Sequence, residues 1–252
     1  MGELEHQRRV LGSYGFAGQY QQSPVPREGG MFKPEWWRFW DQLPTRFDDI
    51  TLSWDLSFKG GEGHDYVVGL ALGRVGALVY ILDRFRKRVS FTETCHAIKQ
   101  MAAKYPTARV ILVEDAANGP AVVNVLQKEI RGILAVTPEG GKNSRAAAVE
   151  PQVEAGQVLL PRPRFADGQR RIEYTWVEDF VDQCSLFPKG EHDDDVDALT
   201  QALVYLQKRP VSQVSASQIL AIGRKSNSGH DDDHGHRDGY GGRRWLKGRR
   251  QF

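Results

Sequence analysis

Between residues 50 and 209 apolar and polar positions recur regularly enough to predict a succession of strands and helices. ITLSWDLSF reads as a strand that ends in a polar turn, KGGEGHD. YVVGLALGR and ALVYILDRFR read as two further strands joined by a tight Val-Gly turn, so the first three strands form a meander. FTETCHAIKQMAAKY places Phe91, Cys95, Ile98 and Met101 at helical spacing, with Ser90 or Thr92 available as the cap. ARVILVED is short and continuously apolar before its acids, as a buried strand is. GPAVVNVLQKEI opens on Gly and Pro and predicts a helix, and GILAVTP supplies a fifth strand. KNSRAAAVEPQVEAG is helix-like but predicted to break at Pro151, and QVLLPRP is short and extended. YTWVEDFVDQCSLF and DDDVDALTQALVYLQK are two amphipathic helices. The order implies an α/β fold, a mixed sheet of five strands or more flanked by helices.

The chain on either side of this region is different. Residues 1–49 lack clean periodicity and include a Pro/Gly-rich stretch, QQSPVPREGGMF, before the cluster PEWWRFW. Trp36, Trp37, Phe39 and Trp40 are too apolar for a free linker and are expected to pack on the domain that follows. After Pro210 the periodicity is lost and residues 210–252 turn rich in Gly, His, Asp and Arg, the composition of a flexible tail.

Composition changes this picture little. The 252 residues, 40% hydrophobic, suffice for a real core. The net charge of +2 hides a gradient, because the last ten residues, RRWLKGRRQF, carry Arg243, Arg244, Lys247, Arg249 and Arg250 and no anion. A near-neutral total therefore does not exclude a polyanionic partner. Two cysteines, Cys95 and Cys184, do not make a disulfide framework. No apolar run approaches the ~20 residues of a membrane span, and MGELEHQRRV lacks a signal-peptide core, so a soluble intracellular protein is expected.

Three groups of acids carry the candidate chemistry. Asp55 lies inside an apolar strand, where an uncompensated carboxylate is costly to bury. Glu114 and Asp115 end the ILV run of the fourth strand. Asp193, Asp194 and Asp195 open the last helix, with Asp197 on the same face as Asp194. Helix capping accounts for one or two acids at such a position. Four in five positions repel one another unless a cation sits among them. Oxygen donors brought from separate segments are what Mg2+ or Mn2+ requires. Two such ions can serve phosphodiester cleavage.

At these residues the sequence resembles the C-terminal nuclease domain of phage large terminase subunits, over roughly residues 14–208. YGFAGQYQQSPVPREGGMFKPEWW is similar to the family's segment joining motor to nuclease. SWDLSFKGGEGHDYVVG, LVEDAANG, GGKNSRAAAVEPQVEAGQVLLP and HDDDVDALTQAL complete the likeness. The resemblance implies an RNase H-like fold and a Mg2+- or Mn2+-dependent endonuclease with a two-metal site, cutting double-stranded DNA during genome packaging in the host cytoplasm. It implies Asp55 as the ligand bridging both metals and Glu114 as the fourth-strand ligand, with Asp115 its competitor. In the final helix it implies Asp194 first and Asp197 second, Asp193 replacing Asp194 if the helix starts a residue earlier. Lys142 and Arg145 resemble family positions near the DNA path, and His192 is placed to orient a ligand or phosphate. The portal and the small terminase subunit are the implied protein partners.

One departure is large. The family carries an ATPase motor ahead of the nuclease, whereas no GxxxxGK[ST] loop occurs here; GGKNS lacks the upstream glycine and has Asn143 after the lysine. The expectation is residues 1–49 as the connecting segment from a missing motor, residues 50–209 as the nuclease domain, a basic tail, and no ATP on this chain. The tail's five cations, with Trp245 and Phe252, suit DNA phosphates or a protein of the packaging machine. His230, His234 and His236 alternate with aspartates there, a pattern that suits a solvated tail better than a metal site. A RuvC-like or transposase-like nuclease, and a DNA-binding or assembly module with a vestigial metal site, are the alternatives.

Overall fold

The computed structural model describes residues 30–56, 66–115, 119–165 and 168–209. The proposed tail cations and most of the connecting segment lie outside these residues. A seven-stranded sheet runs through the described region in the order β1-β7-β4-β3-β2-β5-β6. Its strands are β1 (Arg38–Trp40), β2 (Asp49–Leu56), β3 (Val67–Val75), β4 (Leu78–Lys87), β5 (Val110–Glu114), β6 (Ile133–Val136) and β7 (Val158–Pro161). The meander β2-β3-β4 is antiparallel, and the other pairings, β2 with β5, β5 with β6, β4 with β7 and β1 with β7, are parallel.

Helices cover both faces because, β2's polar row aside, the central strands are apolar on both. On one face α1 (Phe91–Lys104) and α2 (Gly119–Leu126) pack over Leu52, Trp54, Leu56, Val67 and Ala71. On the other, α3 (Lys142–Glu154), α4 (Trp176–Leu186) and α5 (Asp194–Gln207) pack over Val68, Leu70, Leu72, Val79 and Ile81. The cap of α1 is Ser90, which accepts from the Glu93 N–H while the Glu93 carboxylate accepts from Ser90, a reciprocal capping box. Helix α3 runs through Pro151 instead of breaking there. Pro151 stands in the last turn, where its missing N–H costs one bond to Ala147, and its own carbonyl still accepts from Ala155 at 3.0 Å.

Residues 30–49 belong to the sheet and its core. Met31, Phe32, Trp37 and Trp40 are buried, β1 pairs with β7, and the Trp40 indole donates to the Ile81 carbonyl at 3.2 Å. Trp36 is partly buried and Phe39 faces outward. Between β3 and β4 the register shifts by one residue after Ala71–Asp83, so that Leu72 pairs with Ile81. A bulge of this kind re-aims side chains. Val79 and Ile81 face α5, and so do Arg84 and Arg86 beyond the shift, opposite Leu70 and Val68.

Candidate metal centre

Strand β2 has two unlike faces. Leu52, Trp54 and Leu56 enter the α1–α2 core, while Asp49, Thr51, Ser53 and Asp55, all buried, face α5. That polar row meets the helix through directed bonds. Ser53 Oγ donates to the Ala198 carbonyl at 2.7 Å, and Gln201 Nε2 donates to Ser53 Oγ at 3.0 Å and to the Trp54 carbonyl at 3.3 Å. Farther along, Arg74 donates to the Leu206 and Arg209 carbonyls. These bonds fix the first turn of α5 beside Asp55.

The parallel register of β2 and β5 ends at Trp54 opposite Val113, and the next residue on each strand is an acid, Asp55 and Glu114. Their side chains lie close enough for Glu114 to act on Asp55. Burial raises the Asp55 pKa well above the ordinary carboxylate value. The hydrogen bond and charge of Glu114 raise it further, and so do the charges of Asp197 and Asp194. Gly119, the first residue of α2, helps hold Glu114 in place: a Cβ there would lie 1.9 Å from the Glu114 carbonyl oxygen.

Asp115 is directed elsewhere. It is exposed, its N–H bonds the Val136 carbonyl, and its carboxylate accepts from Thr137 Oγ1 at 3.1 Å. Of the two adjoining acids, only Glu114 meets Asp55.

The four aspartates at the start of α5 diverge. Protein cations already serve three of them. Asp193 precedes the helix and pairs with Lys142 at 2.7 Å. Asp197 accepts from Lys142 at 2.6 Å and Arg145 at 2.7 Å. Half-burial opposes the Lys142 charge, but its bonds to Asp193 and Asp197 outweigh that and raise its pKa. Asp195, fully buried, points across α5 to Arg84, with Arg86 at 3.8 Å. Asp194 alone has no ion pair among the described residues; burial raises its pKa, as does Asp193, while Arg86 and His192 oppose the rise. His192 stands edge-on to Tyr66, ring centroids 5.2 Å apart.

Sequence reading missed Arg84, Arg86, Ser53 and Gln201, and it did not separate Asp195 from its neighbours. None has a local signature, since each acquires its role from a partner on a distant segment.

Among the described residues no three His, Cys, Asp or Glu side chains are already spaced to hold one ion. What is assembled is the Asp55–Glu114 pair, within electrostatic reach of Asp194 and Asp197. These residues fit a hard divalent cation. The donors are all carboxylate oxygens, and a positive ion would relieve the repulsion that Glu114, Asp197 and Asp194 exert on Asp55. A cavity of about 260 Å3 opens beside Glu114, its lining including Asp197, Arg145, Val136, Val204 and Tyr205. Among the described residues no helix is long and apolar enough to cross a membrane.

This architecture has known relatives. The large terminase of a thermophilic bacteriophage, solved in complex with ADP, superposes with a TM-score of 0.61 at 9% identity, over 83% of this chain and 53% of that one. The chain thus spans about half the length of that protein. The large terminase nuclease from thermophilic phage G20c is similar in its magnesium-bound form, with a TM-score of 0.51 at 15% identity over 71% of this chain and 98% of that one. Its zinc-bound form gives 0.50 at 16%, over 69% and 97%. No curated protein matches the sequence. The model of the terminase RNaseH-like domain matches residues 52–206, from the strand that carries Asp55 to the helix that carries Asp194 and Asp197. The chain belongs to the terminase RNaseH-like domain family.

Proposed function

We propose that this domain is a divalent-metal-dependent endonuclease that cuts double-stranded DNA during phage genome packaging, in the host cytoplasm and alongside the portal and small terminase subunit. One observation carries the reading: two carboxyls from adjoining parallel strands, Asp55 and Glu114, come together at the strand ends, with Asp194 and Asp197 within electrostatic reach. The magnesium- and zinc-bound forms of the G20c nuclease support a metal role for an equivalent fold.

Asp55, Glu114 and Asp194 would hold the ions, Mg2+ or Mn2+ in a two-metal site, with Asp197 beside them. Glu114 takes this role over Asp115, and Asp194 over Asp193, because the alternatives are bonded to Thr137 and Lys142. Bound divalent ions supply the positive charge that activates water and stabilises the leaving oxygen of a phosphodiester. Ser53 and Gln201 keep the α5 acids in register with Asp55. Lys142, half-exposed, and Arg145 border the carboxylates, where they can both neutralise Asp197 and donate to a phosphate. Contacts of this type read the backbone, so little sequence preference is expected. The cations at Arg243, Arg244, Lys247, Arg249 and Arg250 are proposed as further phosphate contacts.

Cleavage of plasmid DNA in Mg2+ and in Mn2+ tests the reading. Asp55→Asn should lower the rate by roughly 10²–10³, the scale for losing one charge-stabilising group, while the protein stays folded and binds DNA. Wild-type cleavage by Asp55→Asn in both metals would reject the assignment.

A further inference from the structure

Lys142 and Arg145 flank the carboxylates on the α3 side, and a second group of cations flanks them on the β4 side. Asp55 pairs with Val68 and Val68 with Arg86, so Asp55 and Arg86 lie on one face two strands apart, ~10 Å at the usual strand spacing. Tyr66, two residues before Val68, and Arg88, two after Arg86, extend that face outward. The Arg86 guanidinium lies 3.8 Å from the centroid of the Tyr66 ring, and that of Arg88 lies 4.6 Å from the same centroid. One ring therefore organises two like charges.

The inner arginine of the row behaves differently. Arg84 is satisfied by Asp195, by Asp179 at 2.7 Å and by the Trp176 carbonyl at 3.3 Å. Arg86 reaches the same carboxylates only at 3.5 and 3.8 Å, and its buried Nε has no hydrogen-bond partner among the described residues. Arg88 is exposed and forms no ion pair among the described residues. Asp195 and Asp179 are engaged by Arg84 and, at longer range, by Arg86, which leaves Arg88 at the surface without an ion pair among the described residues. A structural ion pair has no need of the outer two arginines. A planar fork backed by an aromatic ring is instead suited to a phosphate.

We infer that Tyr66, Arg86 and Arg88 form a backbone-phosphate subsite on the β4 side of the carboxylates, which holds a phosphate of the DNA strand other than the one being cut. The inference rests on the nuclease reading and names positioning residues for it. With Lys142 and Arg145 opposite, the strand is gripped on both sides of the acids.

Binding of a short random-sequence DNA duplex, measured in EDTA across a salt series, tests it. Arg88→Ala, an exposed change, should flatten the slope of log affinity against log salt by about 0.9, and Arg86→Ala with Arg88→Ala by up to about twice that. Thermal unfolding of Arg88→Ala, and its stabilisation by Mn2+, should match wild type. An unchanged salt slope in both variants, with wild type binding normally, overturns the subsite and leaves the nuclease reading standing. Wild-type protein that shows no salt-dependent DNA binding overturns both.

Discussion

Asp194 and Asp195 are neighbours in sequence, and α5 carries their side chains into opposite environments. Asp195 enters a closed ion-pair network: its carboxylate bonds Arg84, whose guanidinium also holds Asp179 and the Trp176 carbonyl, tying α5 to β4 and α4. Asp194 faces the Asp55–Glu114 pair, where the charges acting on Asp55 are those of other acids. One region neutralises its acid with a protein cation and is finished. The other gathers acids whose charges raise the pKa of Asp55, an arrangement a stability-driven fold has no reason to keep. Burial of a carboxylate therefore carries little functional information until its partners are known.

The largest expected separation between the two regions is in stability. Asp195→Ala leaves the Arg84 guanidinium, 4% exposed, without its main partner. It should cost about 3 kcal/mol, the lower end for breaking a buried pair, since Asp179 remains. Asp55→Asn removes a repelled acid and should leave unfolding by urea unchanged or shifted to higher denaturant. If the two substitutions destabilise equally, the contrast between the regions is false.

A second expectation concerns metal. Mg2+ or Mn2+ at a hundredfold excess over its Kd should stabilise the native protein by about 2.7 kcal/mol. Asp55→Asn should lose most of that gain. Asp195→Asn, starting from a lower melting temperature, should keep it. A gain that survives Asp55→Asn intact would move the cation site elsewhere.

The smallest effect is in pH. Because the Asp55 pKa is raised in the folded state above its ordinary value of 3.8, the folded protein binds the proton more tightly than the unfolded chain. The destabilisation is present in full above the folded pKa and is relieved as pH falls through it toward 3.8. Stability measured in EDTA should therefore decline less with rising pH in Asp55→Asn than in wild type over that window. Identical pH profiles would show that Asp55 is not the strained acid.

Much of this was legible in the sequence. Alternation identified the meander, the helices and the acids at the strand ends, because each is a local pattern with a physical period. Three things were not. The edge strand β1 is three residues long and pairs with β7 across 120 intervening positions, so it carries no period of its own, and the extended reading of QVLLPRP did not reveal its partners. The facing of β4 was hidden by the register shift: strict alternation would set Ile81 and Arg84 on opposite faces, and the bulge places both toward α5. The divergence of Asp194 from Asp195 was likewise a matter of helix phase, since consecutive residues differ by about 100° around the axis. Sequence reading located the acids, and the phase of α5 decided which of them share a destination.

The polar row of β2 makes α5 a ruler. A greasy helix can creep along its sheet by small repacking steps, whereas Ser53 and Gln201 are bonded to named atoms across the seam. Three residues separate Asp194 from Ala198, the carbonyl that Ser53 holds. Adding or removing one of them would turn the acids about 100° away while leaving the seam intact. The spacing from Asp194 to Ala198 should consequently tolerate changes of side chain but not of length, and an insertion placed beyond Gln201 should be far milder than one placed before Ala198.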